Sequence, residues 1–330
     1  MARKPRLEFE GASYHVINRG NYRRVLFSQA GSAASFEKTL FEACEKYGWQ
    51  LHAYVVMSNH FHLALETPEP NLSVGMQWLQ GTFATRFNRF HGEVGKPFQG
   101  RFKALLVEPG RALAQVAHYI HLNPVRAKRV SADRVIDHPW SSLPKFVHGR
   151  RPSFLVAADI LAAAGGLADT KAGWQRYLQY LAWLATDQAA QKEARFMEMS
   201  RGWCIGTQEY REALKQDFAA RAGPLRRRER ASTEAEAWHE LREAQWEAAL
   251  RRAAKASGIG LAELPAAKSA KEKVRLAAVM KAATSVSNGW LANRLQMGEP
   301  ASVSQFVRRF RLAGLDRSRR HQAALSKVKL

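Results

Sequence analysis

The clearest hydrophobic pattern in the chain lies between residues 50 and 66, where apolar and polar side chains alternate over two consecutive segments. Alternation with a period of two is typical of a β-strand that packs one face on a core. We therefore predict strands at residues 50–57 and 59–66. A tight turn at Ser58 and Asn59 would join them as an antiparallel pair.

The second of these strands has two unlike faces. Its apolar face holds Phe61, Leu63 and Leu65 and predicts a contact with a core. The opposite face carries His60, His62, Ala64 and Glu66. The two imidazoles lie one residue apart on the same side, close enough to bind one divalent ion. Two ordinary histidines on a half-solvated strand would give the same pattern.

Periodicity elsewhere in the first 150 residues adds two strands and three helices. The strands are expected at 13–19 and 101–108, and the helices at 32–47, 72–90 and from about 111 to 123. The order strand, helix, strand, strand, helix, strand is that of the ferredoxin-like fold with an antiparallel sheet. The fold class expected for this part is therefore α+β.

Beyond residue 150 the composition favours helices only. Longer helices are expected at about 170–184, 207–221 and 232–256, and shorter ones at 270–283, 287–296 and 301–312. The last three predict a helix-turn-helix, whose final helix carries Arg308 and Arg309 as candidate DNA contacts. A three-helix cap that only packs on the preceding domain would give the same pattern. Residues 222–230, between the helices expected at 207–221 and 232–256, predict a charged turn.

These patterns divide the chain into three regions. Residues 1–150 form the α+β domain, residues 151–260 a helical region, and residues 261–330 a helix-turn-helix-like domain. We expect the last residues of the chain to form a flexible basic tail.

Composition narrows the class of protein. The 330 residues carry a net charge of +22, which favours a polyanionic partner such as nucleic acid. The two cysteines, Cys44 and Cys204, form no metal-binding pair and suggest a reducing compartment. No apolar run follows the N-terminus as in a signal peptide, and none is long enough to span a bilayer. We expect a cytoplasmic, nucleoid-associated protein without membrane contact.

Tyr119 and Asn123 lie four residues apart and therefore share one edge of the helix that begins after Gly110. That edge borders the apolar stripe, and Pro124 disfavours helical geometry at Asn123. Tyr119 would then occupy the last turn, beside the core but able to reach a cleft. An ordinary boundary tyrosine with a solvated hydroxyl would fit the same position.

Three motifs resemble the REP-associated tyrosine transposases, which belong to the single-tyrosine HUH transposases of bacterial insertion sequences. The motifs are residues 59–62 (NHFH), 98–103 (FQGRFK) and 119–127 (YIHLNPVRA), in the same order as in that family. The resemblance covers about residues 5–145. It identifies residues 1–150 as an HUH single-strand DNA nuclease and transposase domain.

The resemblance implies a role for each site residue. His60 and His62 would be metal ligands, Tyr119 the nucleophile and Asn123 the third ligand, where related transposases more often have Gln or His. Glu66 could be a further ligand or support the others. A tyrosine hydroxyl can attack a phosphodiester to leave a covalent phosphotyrosine, and nitrogen and oxygen ligands suit Mg²⁺ or Mn²⁺.

The implied activity is that of a metal-dependent transposase and endonuclease that nicks and rejoins single-stranded, hairpin-forming DNA. Repetitive extragenic palindromes would be its substrate, duplex DNA a second partner, and a monomer or homodimer its active form. Two other functions fit the same residues. One is a replication or relaxase-type HUH initiator, and the other is a non-catalytic DNA-binding repressor.

Basic and aromatic residues suggest where DNA would bind in the first domain. The basic candidates are Arg19, Arg23, Arg24, Arg86, Arg89, Arg101, Lys103 and Arg126. The aromatic candidates for stacking on unpaired bases are Tyr14, Tyr22, Phe90 and Phe102. Some of these aromatics would instead be core residues, and some of the arginines merely solvated.

Overall fold

The computed structural model describes residues 7–221 and 235–329. It divides into two compact units, one containing the described residues up to Thr207 and the other those from Gln208 onwards. The charged turn expected at 222–230 lies outside the described residues. None of the described helices combines the length and apolar character that a membrane span requires.

The first unit is built on a five-stranded sheet. Its strands are β1 (Ala12–Arg19), β2 (Gln50–Val56), β3 (His60–Thr67), β4 (Lys103–Val107) and β5 (Cys204–Ile205). The strand order is β2-β3-β1-β4-β5; the first four strands are antiparallel to their neighbours and β5 is parallel to β4. This is the ferredoxin-like order with one short strand added at the edge. The α+β prediction is confirmed.

One face of the sheet packs on helices α1 (Ser32–Tyr47) and α2 (Leu72–His91). Both helices end in a glycine in the left-handed conformation, Gly48 and Gly92, as expected for helix stops. An aromatic cluster fills the space between the helices and the sheet. Its members are Phe27, Phe36, Phe61, Phe83 and Phe98. The apolar face of β3 is therefore a core face, as the alternation predicts.

The other face of the sheet is covered by helix α3 (Arg111–His121), which is followed by the single turn α4 (Asn123–Arg126). Helix α3 contacts β2 and β3 and buries its apolar stripe there. His62 consequently retains only 4% of its exposed surface. The interpretation of this face as half-solvated is wrong, because the sheet has a helical layer on each side.

Residues 132–207 complete the same unit. They form a 3₁₀ turn (Ala132–Asp137) and four helices, α5 (Ser142–Val147), α6 (Ala158–Ala163), α7 (Lys171–Thr186) and α8 (Gln188–Glu193). Segments of this region satisfy the backbone of edge strand β2. Leu51 N–H donates to Phe154 O at 2.7 Å, and Val56 N–H to Trp140 O at 2.8 Å. The boundary expected at residue 150 therefore falls inside a compact unit.

The second unit is helical. Its helices are α9 (Gln208–Arg221), α10 (Ala235–Ser257), α11 (Lys271–Ala283), α12 (Asn288–Arg294), α13 (Pro300–Leu312) and α14 (Arg319–Lys329). Leu250 of α10 shares one core with Leu276, Leu291 and Val303, so the boundary expected at 260 also falls inside a unit. The three short helices predicted for the C-terminal region are present as α11, α12 and α13.

The expectation of a flexible basic tail is wrong. Residues 319–329 form helix α14, in which Ala324 and Val328 are buried in the core of the second unit. These two residues lie four apart on one helix face, and His321 is 2% exposed beside them. In the sequence, the many lysines and arginines of this segment make its short apolar stripe hard to recognise.

Helix α2 offers a matched test of its packing. A Cβ atom at Gly75 would lie 2.1 Å from Cζ2 of the buried Trp49, whereas one at Gly81 would meet nothing within 4 Å. We expect Gly75→Ala to lower the free energy of unfolding by about 1–3 kcal/mol through overpacking. Gly81→Ala should raise it by up to roughly 1 kcal/mol through helix propensity. Urea denaturation of both variants measures the difference, and equal midpoints would contradict this account of the Trp49 contact.

Candidate active site

His60 and His62 occupy the positions of β3 nearest the turn, with ring centroids 5.1 Å apart and planes at 82°. Strand β1 runs antiparallel beside them, with Arg19 opposite His60 and Ile17 opposite His62. His15 lies two residues further along β1 and therefore on the same face, diagonal to His62. The alternation of side chains along these two strands thus places three imidazoles on one side of the sheet.

The ring of His60 is held by its neighbour in the turn. Its Nδ1 lies 2.7 Å from Oδ1 of Asn59, whose Nδ2 in turn faces the carbonyl oxygen of Arg23 at 3.5 Å. An amide oriented in this way accepts from Nδ1–H of His60, which leaves Nε2 as the unprotonated nitrogen of a neutral ring. The turn predicted at Ser58 and Asn59 therefore also orients an imidazole.

The ring of His62 is hydrogen-bonded to a buried side chain, that of His15. Its Nδ1 lies 2.9 Å from Nε2 of His15, and the two rings stack with centroids 5.1 Å apart. Nδ1 of His15 in turn lies 2.7 Å from the carbonyl oxygen of Met199. His15 is fully buried and Met199 is 1% exposed, so this series of hydrogen bonds is shielded from water.

Burial keeps these histidines neutral. It lowers the pKa of His15 to about 4, although the hydrogen bond that His15 donates to the Met199 carbonyl acts in the opposite direction. It also lowers the pKa of His62 well below the usual value, and nearby His15, His60 and Arg126 lower it further. The pKa of His60 is lowered by burial, partly offset by a hydrogen bond with Asn123. Neutral imidazole is the form that binds a metal ion.

Tyr119 lies in the last turn of α3, directly over this cluster. Its ring centroid is 5.7 Å from that of His62 and 5.9 Å from that of His15, both edge-on. Phe196 packs on its other side at 5.6 Å, and only 6% of Tyr119 is exposed. The ring of Tyr119 is therefore buried among these side chains. The guanidinium carbon of Arg126 lies 4.6 Å from the centre of the Tyr119 ring.

Asn123 opens α4 one turn after Tyr119. Leu122 between the two helices has right-handed helical dihedrals, so the stacking of residues four apart continues through the junction despite Pro124. Asn123 is 7% exposed, and its side chain hydrogen-bonds with His60. The structure thus brings His60, His62, Tyr119 and Asn123 together.

Glu66 does not join them. It lies four residues beyond His62 on the same strand, which corresponds to about 13 Å along β3. Its Oε2 atom is 3.9 Å from Nε2 of His52, at the other end of the sheet. Sharing a strand face does not place two residues together when the strand is long, and Glu66 is not part of this site.

The donor set fits a divalent ion held by few protein ligands. No three His, Cys, Asp or Glu side chains within the described ranges gather in a way that could hold a metal. Any ion here would therefore rest on the two imidazoles and an amide oxygen. That set leaves coordination positions open for substrate, as a catalytic site requires.

The basic candidates in the first unit differ in their surroundings. Arg126 lies over Tyr119, and Arg19 is close enough to His60 to lower its pKa. Lys103 Nζ donates to the carbonyl oxygen of Ser200 at 2.7 Å. Two others are engaged in ion pairs, Arg24 with Glu93 and Arg86 with Glu42. Arg23, Arg89 and Arg101 are exposed, as are Arg308 and Arg309 on α13 of the second unit.

Two of the four aromatic candidates are exposed and two are buried. Tyr22 is 93% exposed and Phe90 71% exposed, so both can reach a partner. Tyr14 and Phe102 are 2% and 4% exposed and belong to the core. Tyr14 is buried because it precedes His15 on β1. Its side chain therefore lies on the other face of the sheet.

Sequence reasoning missed His15, Phe196 and Met199. The one signal for His15 in the sequence is its strand position, and its distance from His62 depends on a register that periodicity does not give. Phe196 and Met199 come from a turn-rich segment more than seventy residues after Tyr119. No local pattern links that segment to the histidines.

Comparison with known proteins shows a family model that is similar to the segment containing this site. The family model described as "Transposase IS200 like" matches residues 8–123. No curated protein matches the chain. A solved structure of the REP-associated tyrosine transposase bound to a REP hairpin is 21% identical, with a TM-score of 0.38, and the match covers 48% of this chain and 93% of that one. The sequence resemblance is thereby confirmed, since the segment that holds His60, His62, Tyr119 and Asn123 matches the IS200-like transposase family.

Proposed function

We propose that this protein is a metal-dependent tyrosine transposase and endonuclease that nicks and rejoins single-stranded, hairpin-forming DNA. The observation that carries the proposal is the position of Tyr119, whose ring lies 5.7 Å from the ring of His62 in a cluster of neutral imidazoles. A nucleophile beside potential metal ligands is the arrangement that phosphodiester cleavage needs. The family match over residues 8–123 supports the same reaction class.

In this reaction the Tyr119 oxygen forms a bond to phosphorus while the bond from phosphorus to the leaving sugar oxygen breaks. The tyrosine gives up its proton, and the leaving oxygen takes one. The number of phosphoester bonds is unchanged, so the released hydroxyl can attack later and rejoin the strand. Burial between His62 and Phe196 restricts the ring of Tyr119 to one orientation, which favours attack on a phosphate held at one place.

His60, His62 and Asn123 would hold Mg²⁺ or Mn²⁺. Such an ion supplies positive charge for the phosphate oxygens as the phosphorus changes its bonds. Arg126 can contribute a second positive group, because its guanidinium is exposed while lying over Tyr119. A planar guanidinium binds phosphate through paired hydrogen bonds.

The substrate follows from charge and from the family resemblance. A net charge of +22 favours a polyanion, and exposed Tyr22 and Phe90 offer faces on which unpaired bases can stack. Repetitive extragenic palindromes, which form hairpins as single strands, are the substrate that the sequence resemblance suggests. Strand transfer between two such sites would be the full reaction.

The second unit provides a separate DNA-binding surface in this proposal. Helix α13 buries Val303, Val307 and Phe310 and directs Arg308 and Arg309 to solvent. Helices α12 and α13 are joined by a short turn, as in a helix-turn-helix whose second helix enters the major groove of a duplex.

The metal ligands can be tested by removal. We expect a chelator to abolish cleavage of a labelled hairpin and added Mn²⁺ or Mg²⁺ to restore it. His60→Ala and His62→Ala should each reduce cleavage by roughly 100-fold or more, because the ion supplies several kcal/mol of charge stabilisation. Glu66→Gln is the control, since Glu66 lies away from the site, and its activity should be unchanged. Full activity in both histidine variants would remove the metal assignment.

The role of Tyr119 as the nucleophile can be tested by removing its hydroxyl oxygen. Tyr119→Phe keeps the ring and its contacts with His62 and Phe196 but removes the hydroxyl. Covalent protein–DNA adduct should vanish on denaturing gels, hairpin binding should persist, and the free energy of unfolding should change by no more than about 1 kcal/mol.

Mass spectrometry of the adduct in the wild-type protein locates the modified residue. An adduct at the exposed Tyr22, or at Tyr47, would show that another tyrosine is the nucleophile. Nicking by Tyr119→Phe without any covalent species would instead indicate hydrolysis by water, and the transposase mechanism would be wrong.

The DNA-binding role of α13 can be tested without truncation. We expect the double variant Arg308→Ala/Arg309→Ala to weaken duplex binding and to reduce the salt slope of the affinity by roughly 0.7–0.9 for each phosphate group that is no longer bound. The matched control removes two exposed charges from α10, as Arg252→Ala/Lys255→Ala. Equally weakened binding in the two double variants would mean that α13 contributes only net charge.

A further inference from the structure

A buried relay of two hydrogen bonds runs from the backbone of Met199 to the ring of His62. The carbonyl oxygen of Met199 lies 2.7 Å from Nδ1 of His15, and Nε2 of His15 lies 2.9 Å from Nδ1 of His62. His15 has no exposed surface and His62 has 4%. Of these three residues, only His62 has a role in the proposed reaction.

The donors and acceptors in this relay can be ordered from one end. A carbonyl oxygen can only accept, so Nδ1 of His15 must carry the hydrogen. A neutral imidazole carries one hydrogen, so Nε2 of His15 is an acceptor. Nδ1 of His62 must then be the donor, and the unprotonated nitrogen of His62 is Nε2. The Met199 carbonyl therefore determines which nitrogen of His62 has a free lone pair.

We propose that His15 is a positioning residue that fixes the ring orientation and tautomer of His62 for metal binding, and that the backbone of Met199 sets His15 in turn. This inference rests on the proposed function, because it gives His62 the role of a ligand. Histidines that bind a metal through one ring nitrogen commonly donate the N–H of the other to a fixed acceptor, and removing that acceptor typically lowers metal affinity roughly 10- to 100-fold.

The segment that supplies the carbonyl is itself anchored on the sheet. Lys103 of β4 donates to Ser200 O, and the backbone N–H of Leu106 donates to Trp203 O at 2.9 Å. Strand β5 then pairs with the end of β4. The backbone of Met199 is therefore held in place by its neighbours on the sheet. A positioning role requires such a fixed carbonyl.

The same segment also contacts the candidate nucleophile. Phe196 is 3% exposed and packs edge-on against Tyr119 at 5.6 Å. The guanidinium carbon of Arg126 lies 5.7 Å from the Phe196 ring as well as 4.6 Å from the Tyr119 ring. Residues 196–199 lie well beyond the end of the family match at residue 123, yet they touch both the histidine cluster and the tyrosine. The matched segment alone therefore lacks part of the site.

The test compares two substitutions of His15 with a control. His15→Phe keeps a planar ring but removes the acceptor for His62. His15→Gln retains an acceptor oxygen near the position of Nε2. The control is His52→Phe, because His52 is another buried strand histidine, 6% exposed, and neither of its ring nitrogens has a hydrogen-bond partner among the described residues.

The first readout is Mn²⁺ binding, measured by titration with and without a hairpin oligonucleotide. We expect the affinity of His15→Phe to fall roughly 10- to 100-fold, His15→Gln to recover most of it, and His52→Phe to bind as the wild type does. Folded His15→Phe protein that binds Mn²⁺ as tightly as the wild type would overturn the proposal.

The second readout needs no metal and no activity. Nitrogen-15 spectra of the histidine rings in the metal-free wild-type protein report which nitrogen of His62 carries the hydrogen. Hydrogen on Nδ1 is expected, with a shift towards the other tautomer in His15→Phe. Hydrogen on Nε2 in the wild type would overturn the proposal even if His15→Phe failed to fold. The expected tautomer in a protein that cleaves DNA without metal would refute the proposed function and leave the hydrogen-bond relay intact.

Discussion

The packing of α3 against the sheet brings together groups that the chain places far apart. Helices α1 and α2 cover one face of the sheet, and a ferredoxin-like sheet would leave the other face open to water. Here α3 closes that face through buried Leu113, Val116 and Ile120. Burying this apolar stripe fixes the rotation of the helix, and the adjacent edge with Tyr119 and Asn123 must then face His60 and His62. A hydrophobic contact thus determines the geometry of a polar site.

Closing that face buries His15 and His62 and partly buries His60, and the fold compensates by hydrogen bonding. An unpaired polar group in such a place costs about 1–3 kcal/mol. Asn59 satisfies His60, and the relay through His15 to the Met199 carbonyl satisfies His62. The lowered pKa values are the other consequence of the same burial. Rigid, neutral and oriented histidines are therefore a result of packing, and they are also what a metal ion requires.

Local patterns predicted most of the elements but only part of their arrangement. Helix α1 was predicted at its observed residues because its apolar side chains recur with helical spacing. Helix α14 was missed because its two buried apolar residues are outnumbered by lysines and arginines. The motif residues of the site were recognisable in the sequence, and alternation put Glu66 with them by mistake. His15 and Met199 could not be predicted, since strand register and a long-range backbone contact bring them to His62.

The charges around the candidate ligands link the binding of an ion to the binding of DNA in the proposed function. Burial is the main cause of the lowered pKa values of His60 and His62, and the positive groups of Arg19 and Arg126 respectively lower them further. A divalent ion between two imidazoles would feel repulsion from these arginines. A phosphodiester brings negative oxygens that can contact the ion and Arg126 at once, and so replaces repulsion with attraction on both sides. In the proposed function, ion and DNA should therefore bind more tightly together than either does alone, because the DNA would supply the negative charge that a carboxylate ligand would otherwise provide.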